Sequence, residues 1–459
     1  MARGTSTFGS QEMQRAPARQ HCPCVARAPH APQLETGLRD HEGAAPPSPL
    51  SRESTPLTAL PASALDSPAH LTAAPPAAHP ARARVDSVDV LRGTVMILMA
   101  LDHTRDFFGV PGVNPTDPAN TALFLTRWIT HFCAPVFFLL TGTSAFLSRQ
   151  RWPGRGLSRY LITRGALLVL LELTVVRTLS YQFNVDYRVT MLLVIWALGW
   201  SMIVLGALMR LPVRAILAIG LVMIAGHNLL DGIRSANPLW SILHGPGFVL
   251  QGKFTVFAAY PLVPWIGVTA VGYALGAIFE WPAAQRRRVL LQLGAAAIAL
   301  FLMLRAFNVY GDPAPWTPQA TAVATTLSFF NTSKYPPSLL FLLMTLGPAL
   351  LVLRAVDGGV PGVLRPTIVY GRVPLFYFIL HFTLIHLAAV VVCLAINGAA
   401  HWMFESPSLD KYPFTPPPGW GFSLPVVYLV WLGVVASLYP ACRWYARLKG
   451  RRGGVVRYV

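Results

Sequence analysis

The chain of 459 residues is 54% hydrophobic and only 12% charged, with a mean hydropathy of +0.49. Its apolar residues fall in repeated runs of about twenty, the length that crosses a bilayer hydrocarbon core, and no polar helix faces are present to cover a soluble core of that size. The net charge of +18 sits mostly in tails and loops, so it reads as membrane topology before nucleic-acid binding, and the five cysteines (Cys22, Cys24, Cys133, Cys393, Cys442) have the spacing of neither a disulfide framework nor a zinc site.

Residues 1–84 hold 13 of the 40 prolines and many alanines, with no apolar run long enough for a signal-peptide core. This stretch reads as a disordered Pro/Ala-rich cytoplasmic tail. Ten spans follow, at about 88–108, 121–148, 158–180, 189–209, 213–230, 255–280, 288–307, 336–354, 367–396 and 422–443, making an all-α polytopic membrane helix bundle over residues 85–445 with a basic tail at 446–459. With the N-terminus inside, 28 of the 37 Lys and Arg fall on the cytoplasmic side, which puts both termini in the cytoplasm of an integral inner-membrane protein.

The first span, RGTVMILMALDH (92–103), enters the membrane on an arginine and closes on an aspartate and a histidine. Eleven residues at about 100° each bring His103 to within about 20° of Arg92, roughly 16 Å further along one helix face. Asp89, three residues before Arg92, lies near that face and pairs with it in this reading. Ionisable side chains within a span cost about 2.5–3.5 kcal/mol each on insertion scales and so face the bundle interior. Asp102 and Glu172 are the acidic residues well inside the spans, and each has two readings: a carboxylate serving the site, or a buried structural partner, for Asp102 of Arg105 or Arg127.

The stretch SVDVLRGTVMILMALDH, with Asp-x-x-Arg-Gly opening the first span, resembles the motif of membrane-bound acyltransferases that acylate extracytoplasmic glycans. THFCAPVFFLLTGTSAFL (130–147), YPLVPWIGVTAVGYALG (260–276), KYPPSLLFLLMTLGPAL (334–350) and GRVPLFYFILHFTLIH (371–386) sharpen the likeness to bacterial relatives of the lysosomal heparan-α-glucosaminide N-acetyltransferase. The resemblance spans about residues 85–445. It implies acyl transfer from acetyl-CoA or another acyl-CoA to the amine or hydroxyl of an extracytoplasmic glycan or glycolipid, in a setting of membrane lipids; the cysteine spacing and the charge placement separately lead to the expectation of no metal and no nucleic acid. In the lysosomal enzyme the histidine held to be catalytic lies in the loop after the first span. The corresponding loop here, GVPGVNPTDPAN (109–120), has none, so His103 has to substitute if the chemistry is shared.

Removing a proton from an amine or hydroxyl suits a histidine, and His103 is the candidate base, with Asp102 or Glu172 as the carboxylate on its other nitrogen. Arg92, with Asp89, is the candidate contact for the donor's phosphates, since an Arg fork matches phosphate oxygens. His131, Arg127, His381, Asn228 and Lys334 are the candidate substrate contacts; each also has an ordinary structural reading as a satisfied buried or snorkelling side chain. A transporter or flippase is the alternative function, although no internal repeat supports it.

Overall fold

The computed structural model describes residues 85–451. The disordered tail expected at 1–84 and the last residues of the basic tail lie outside the described residues. The helices are α1 (Asp86–Phe108), α2 (Thr121–Thr130), α3 (Cys133–Leu147), α4 (Arg155–Leu171), α5 (Val194–Leu208), α6 (Val213–Gly226), α7 (Pro238–Leu243), α8 (Leu262–Leu275), α9 (Ala283–Phe307), α10 (Ala322–Phe330), α11 (Leu339–Val356), α12 (Arg365–Arg372), α13 (Pro374–Asn397) and α14 (Leu424–Arg451). α4 continues as a π-helix over Glu172–Tyr181. Strands β1 (Val189–Leu192), β2 (Gly247–Leu250) and β3 (Thr255–Ala258) form one sheet in the order β1-β3-β2, with β1 and β3 parallel and β2 and β3 antiparallel.

The protein is an all-α membrane helix bundle. Among the described residues seven helices are long and apolar enough to cross a membrane. The three other expected spans also form helices: α1 and the α4–π helix are interrupted by charge, and α5 is only 15 residues long. Two of the expected spans do not begin as helix, because residues 189–192 and 255–258 are strands. A four-residue apolar run carries no periodicity that separates strand from helix, and the two segments become a sheet only when the fold brings them together. The 121–148 span turns at His131 and Phe132, the 367–396 span breaks at Val373, and the expected 308–335 loop contains α10, capped by the Thr321 side chain.

α1 is the centre of the bundle, packed on α3, α12, α13 and α14. Its contact with α12 explains the Asp-x-x-Arg-Gly motif. A Cβ on Gly93 would sit 1.9 Å from the Thr367 carbonyl oxygen, and a Cβ on Gly371 would sit 1.9 Å from that of Asp89, so two glycines let the backbones touch. Arg92 then brackets the joint, donating to Asp89 (2.9 Å), the Gly371 carbonyl (3.0 Å) and Ser144 Oγ of α3 (2.6 Å).

Several of the nine Lys and Arg counted to the outer side are largely buried. Arg105, Arg127, Arg177, Arg305 and Lys334 have side chains no more than 12% exposed. Arg305 is satisfied by the carbonyls of Phe329, Ala314, Ser328 and Asn331, at 2.7–3.2 Å, which ties α9 to the loops around α10. Buried polar groups persist only with such partners.

Candidate active site

The last two turns of α1 open onto a cavity of about 490 Å³. Asp102, His103, Arg105 and Asp106 line it from α1, Arg127 and Thr130 from α2, and Lys334 and Tyr335 from the segment before α11. Tyr181, at the end of the π-helix, joins Tyr260, Tyr412, Phe378 and Phe382 in an aromatic wall, and Met191 and Phe257 of the sheet also line the cavity. π geometry is rare and frequent at functional sites, and here it delivers Tyr181 to the cavity. Tyr412 lies in the connection after α13; burial, with the charge of Glu172 adding to it, pushes its phenol well above the usual range, so it faces the cavity as a neutral hydroxyl.

His103 has its ring 3.9 Å from that of Phe382 and 5.4 Å from that of His381, centroid to centroid. Its Nδ1 lies 3.6 Å from Asp106 Oδ2, one helical turn on, and Asp106 in turn accepts from Arg105 Nη2 at 2.5 Å. The nearest carboxylate to the imidazole is therefore Asp106, a residue the sequence reading passed over. The signal was present: in DHTRD the spacing i, i+3 puts His103 and Asp106 side by side on a helix, provided the helix runs as far as Phe108.

Asp102 faces the other way, into cations. Both its oxygens accept from Arg127 Nη1 at 2.6 Å, Thr130 Oγ1 donates at 3.0 Å, Arg105 Nη2 lies at 3.0 Å and Lys334 Nζ at 3.9 Å. Asp102 and Asp106 supply two negative charges against the three positive charges of Arg105, Arg127 and Lys334. One positive charge is left over on the cavity wall, and Arg105 Nη1 is buried there without a hydrogen-bond partner.

Of the other candidates, His381 is fully buried behind His103, its Nδ1 on the Tyr377 carbonyl at 2.9 Å and its Nε2 without a partner. His131 is buried against Phe341 and outside the cavity lining. Glu172 lies apart from His103, buried at the start of the π-helix and facing the backbone amides of Ile195 and Trp196. Asn228 is engaged elsewhere, accepting from the Leu339 amide (2.9 Å) and donating to Asp231 (2.7 Å). Arg92 and Asp89 sit at the opposite end of α1, about 16 Å from His103 by helical rise. Cys133, Cys393 and Cys442 are free thiols.

Residues 84–308 match the protein-family model described as heparan-alpha-glucosaminide N-acetyltransferase, catalytic. No curated protein matches the chain. The matched stretch holds His103, Asp102, Asp106 and Arg127, whereas Lys334, Tyr335, Phe378 and Phe382 of the same cavity lie beyond it.

Proposed function

We propose that the chain is a membrane acyltransferase that moves an acyl group from cytoplasmic acyl-CoA, acetyl-CoA first among the donors, to an amine or hydroxyl of an extracytoplasmic sugar or glycan, a reading supported by the match of residues 84–308 to the heparan-alpha-glucosaminide N-acetyltransferase catalytic family model. The observation that carries the reading is His103, presented to a cavity of about 490 Å³ with the Asp106 carboxylate 3.6 Å from its Nδ1 and a surplus positive charge on the same cavity wall.

In this reading the proton on the acceptor nitrogen or oxygen passes to His103 Nε2 as that atom attacks the thioester carbonyl carbon. Asp106 holds the other nitrogen, which fixes the tautomer and stabilises the imidazolium that forms. Arg105 and Lys334 provide positive charge for the oxygen that becomes negative as the carbonyl is attacked. When the C–S bond breaks the sulfur leaves with the electron pair, and the proton on His103 returns to it. The aromatic wall of Tyr181, Tyr260 and Phe382 offers apolar faces to a sugar ring. Glu172, His131 and Asn228 stay outside this scheme, and Arg92 with Asp89 is proposed for the donor's phosphates at the inner end of α1. The charge distribution supports a cytoplasmic location for both termini.

The test is the full-length protein in detergent or liposomes, given acetyl-CoA and a panel of amino sugars, with release of free thiol and acylated product both measured. A positioned general base contributes about 10²–10⁴-fold, so His103→Gln should lose turnover by that factor while protein yield holds. Wild-type turnover in His103→Gln would remove the assignment, and movement of a sugar across liposomes without any acyl donor would replace it with transport.

A further inference from the structure

Outside the cavity, three metal-ligating side chains meet where α6 ends. His227 closes that helix, Asp231 follows one turn on, and His244 comes in from the end of α7. One ligand atom from each lies within 4.8 Å of the others, and His244 Nε2 is 3.2 Å from Asp231 Oδ1. Zinc bound tetrahedrally at about 2.0–2.2 Å needs ligand atoms roughly 3.4 Å apart, so the 3.2 Å gap already fits and the others, within 4.8 Å, exceed it by no more than about 1.4 Å, within reach of side-chain torsions.

A second, independent observation points the same way. His227 is 2% exposed and His244 4%, yet neither ring nitrogen of His227, nor Nδ1 of His244, has a hydrogen-bond partner of acceptable geometry. Buried imidazoles with nothing to do are rare. Their surroundings are those of an oriented ligand set: the Pro337 carbonyl faces the His227 ring, Asn228 Nδ2 donates to Asp231 Oδ2 at 2.7 Å, and the Trp240 ring packs 4.8 Å from His244. Among the described residues no carboxylate beyond Asp231 and no thiol joins the set, which favours imidazole-seeking transition metals over calcium or magnesium.

We propose that His227, Asp231 and His244 bind a divalent transition ion of the zinc class, with water completing the coordination, against the sequence expectation of no metal. Its role is structural. Pro246, two residues beyond His244, lines the cavity, and Asn228 holds the Leu339 amide just after Lys334 and Tyr335, so the ion braces two segments of the cavity wall. The inference does not depend on the acyl-transfer reading.

The experiment uses the full chain purified in detergent with a histidine-free tag, stripped with chelator and titrated with Zn²⁺ and separately with Co²⁺. One equivalent of zinc should bind and raise the unfolding temperature, and cobalt should show the visible d–d bands of a four-coordinate N/O site. His244→Ala and Asp231→Asn should abolish both, and Asn228→Ala should weaken zinc by about 10–100-fold. Wild-type protein that takes up neither ion, or variants that bind as wild type does, would overturn the proposal; the cobalt spectrum of the wild type decides the case even where a variant fails to fold.

Discussion

Asp102 distinguishes a carboxylate that serves chemistry from one that holds charge in place. Replacing Asp102 by Asn leaves the shape and removes the charge, so Arg127, Arg105 and Lys334 lose the group they share at 2.6, 3.0 and 3.9 Å. The Asp102 side chain is 12% exposed and that of Arg127 equally so, which makes this a largely desolvated network rather than a surface pair. Breaking such a network by removing one partner costs about 3–5 kcal/mol, because the orphaned cations stay buried. Against a typical stability of about 5–15 kcal/mol that is a large fraction. Asp102→Asn should therefore lower the unfolding temperature of the purified protein markedly, and the double variant Asp102→Asn with Arg127→Gln should recover part of the loss, with a coupling of about 0.5–3 kcal/mol. Thermal unfolding in one detergent, with turnover measured on the folded fraction, reads both. If Asp102→Asn keeps wild-type stability while turnover collapses, the network argument is refuted and Asp102 acts on substrate or on His103 directly.

Other expectations follow from the same geometry. Asp106→Asn should reduce turnover less than His103→Gln and shift its pH profile, since it acts through the imidazole; an unchanged profile with normal activity would remove Asp106 from the site. Gly93→Ala should abolish folded protein in membranes, as its methyl would lie 1.9 Å from the Thr367 carbonyl, whereas the same change at Gly232, which has open space, should be silent; equal yields from both would refute the close packing of α1 and α12. Arg92→Ala separates the donor proposal from the bracket it forms: weakened acyl-CoA binding at normal protein level supports the former, and loss of stability with binding intact in the surviving protein supports the latter. Asp186, in the loop after the π-helix, titrates below the ordinary carboxylate range: burial pushes it up, but hydrogen bonds from Ser406 and the Arg188 amide and the pairing with Arg177 outweigh that. A depressed folded value means its contribution is present above the unfolded carboxylate pKa and is lost as pH falls through the folded one, so Asp186→Asn should flatten the acid limb of stability against pH.

The sequence by itself determined the architecture's class and its most chemical helix. Apolar runs of bilayer length are a local property, so the ten stretches could be read off one at a time. The charge-bearing face of α1 was equally legible because 3.6-residue periodicity relates Asp89, Arg92 and His103 without any neighbour. Asp106 obeyed the same rule and lay inside the expected first span, but it falls three residues past the 92–103 motif on which the reading was built. What the tertiary structure alone decided is everything that needs a second element. Gly93 meets α12 through a backbone nearly 280 residues away, and Arg92 bonds with it, which gives the Asp-x-x-Arg-Gly motif a packing role that no spacing implies. Whether Asp102 serves His103 or Arg127 depended on α2 lying beside α1, and the turn of Glu172 toward the Ile195 and Trp196 amides, outside the cavity lining, depended on α5. The sheet, the tyrosines of the cavity wall and the His227, Asp231 and His244 cluster come from short or isolated signals on different loops. Their chemistry arises from juxtaposition, and distances between elements are written in the packing of side chains rather than in the order of residues along the chain.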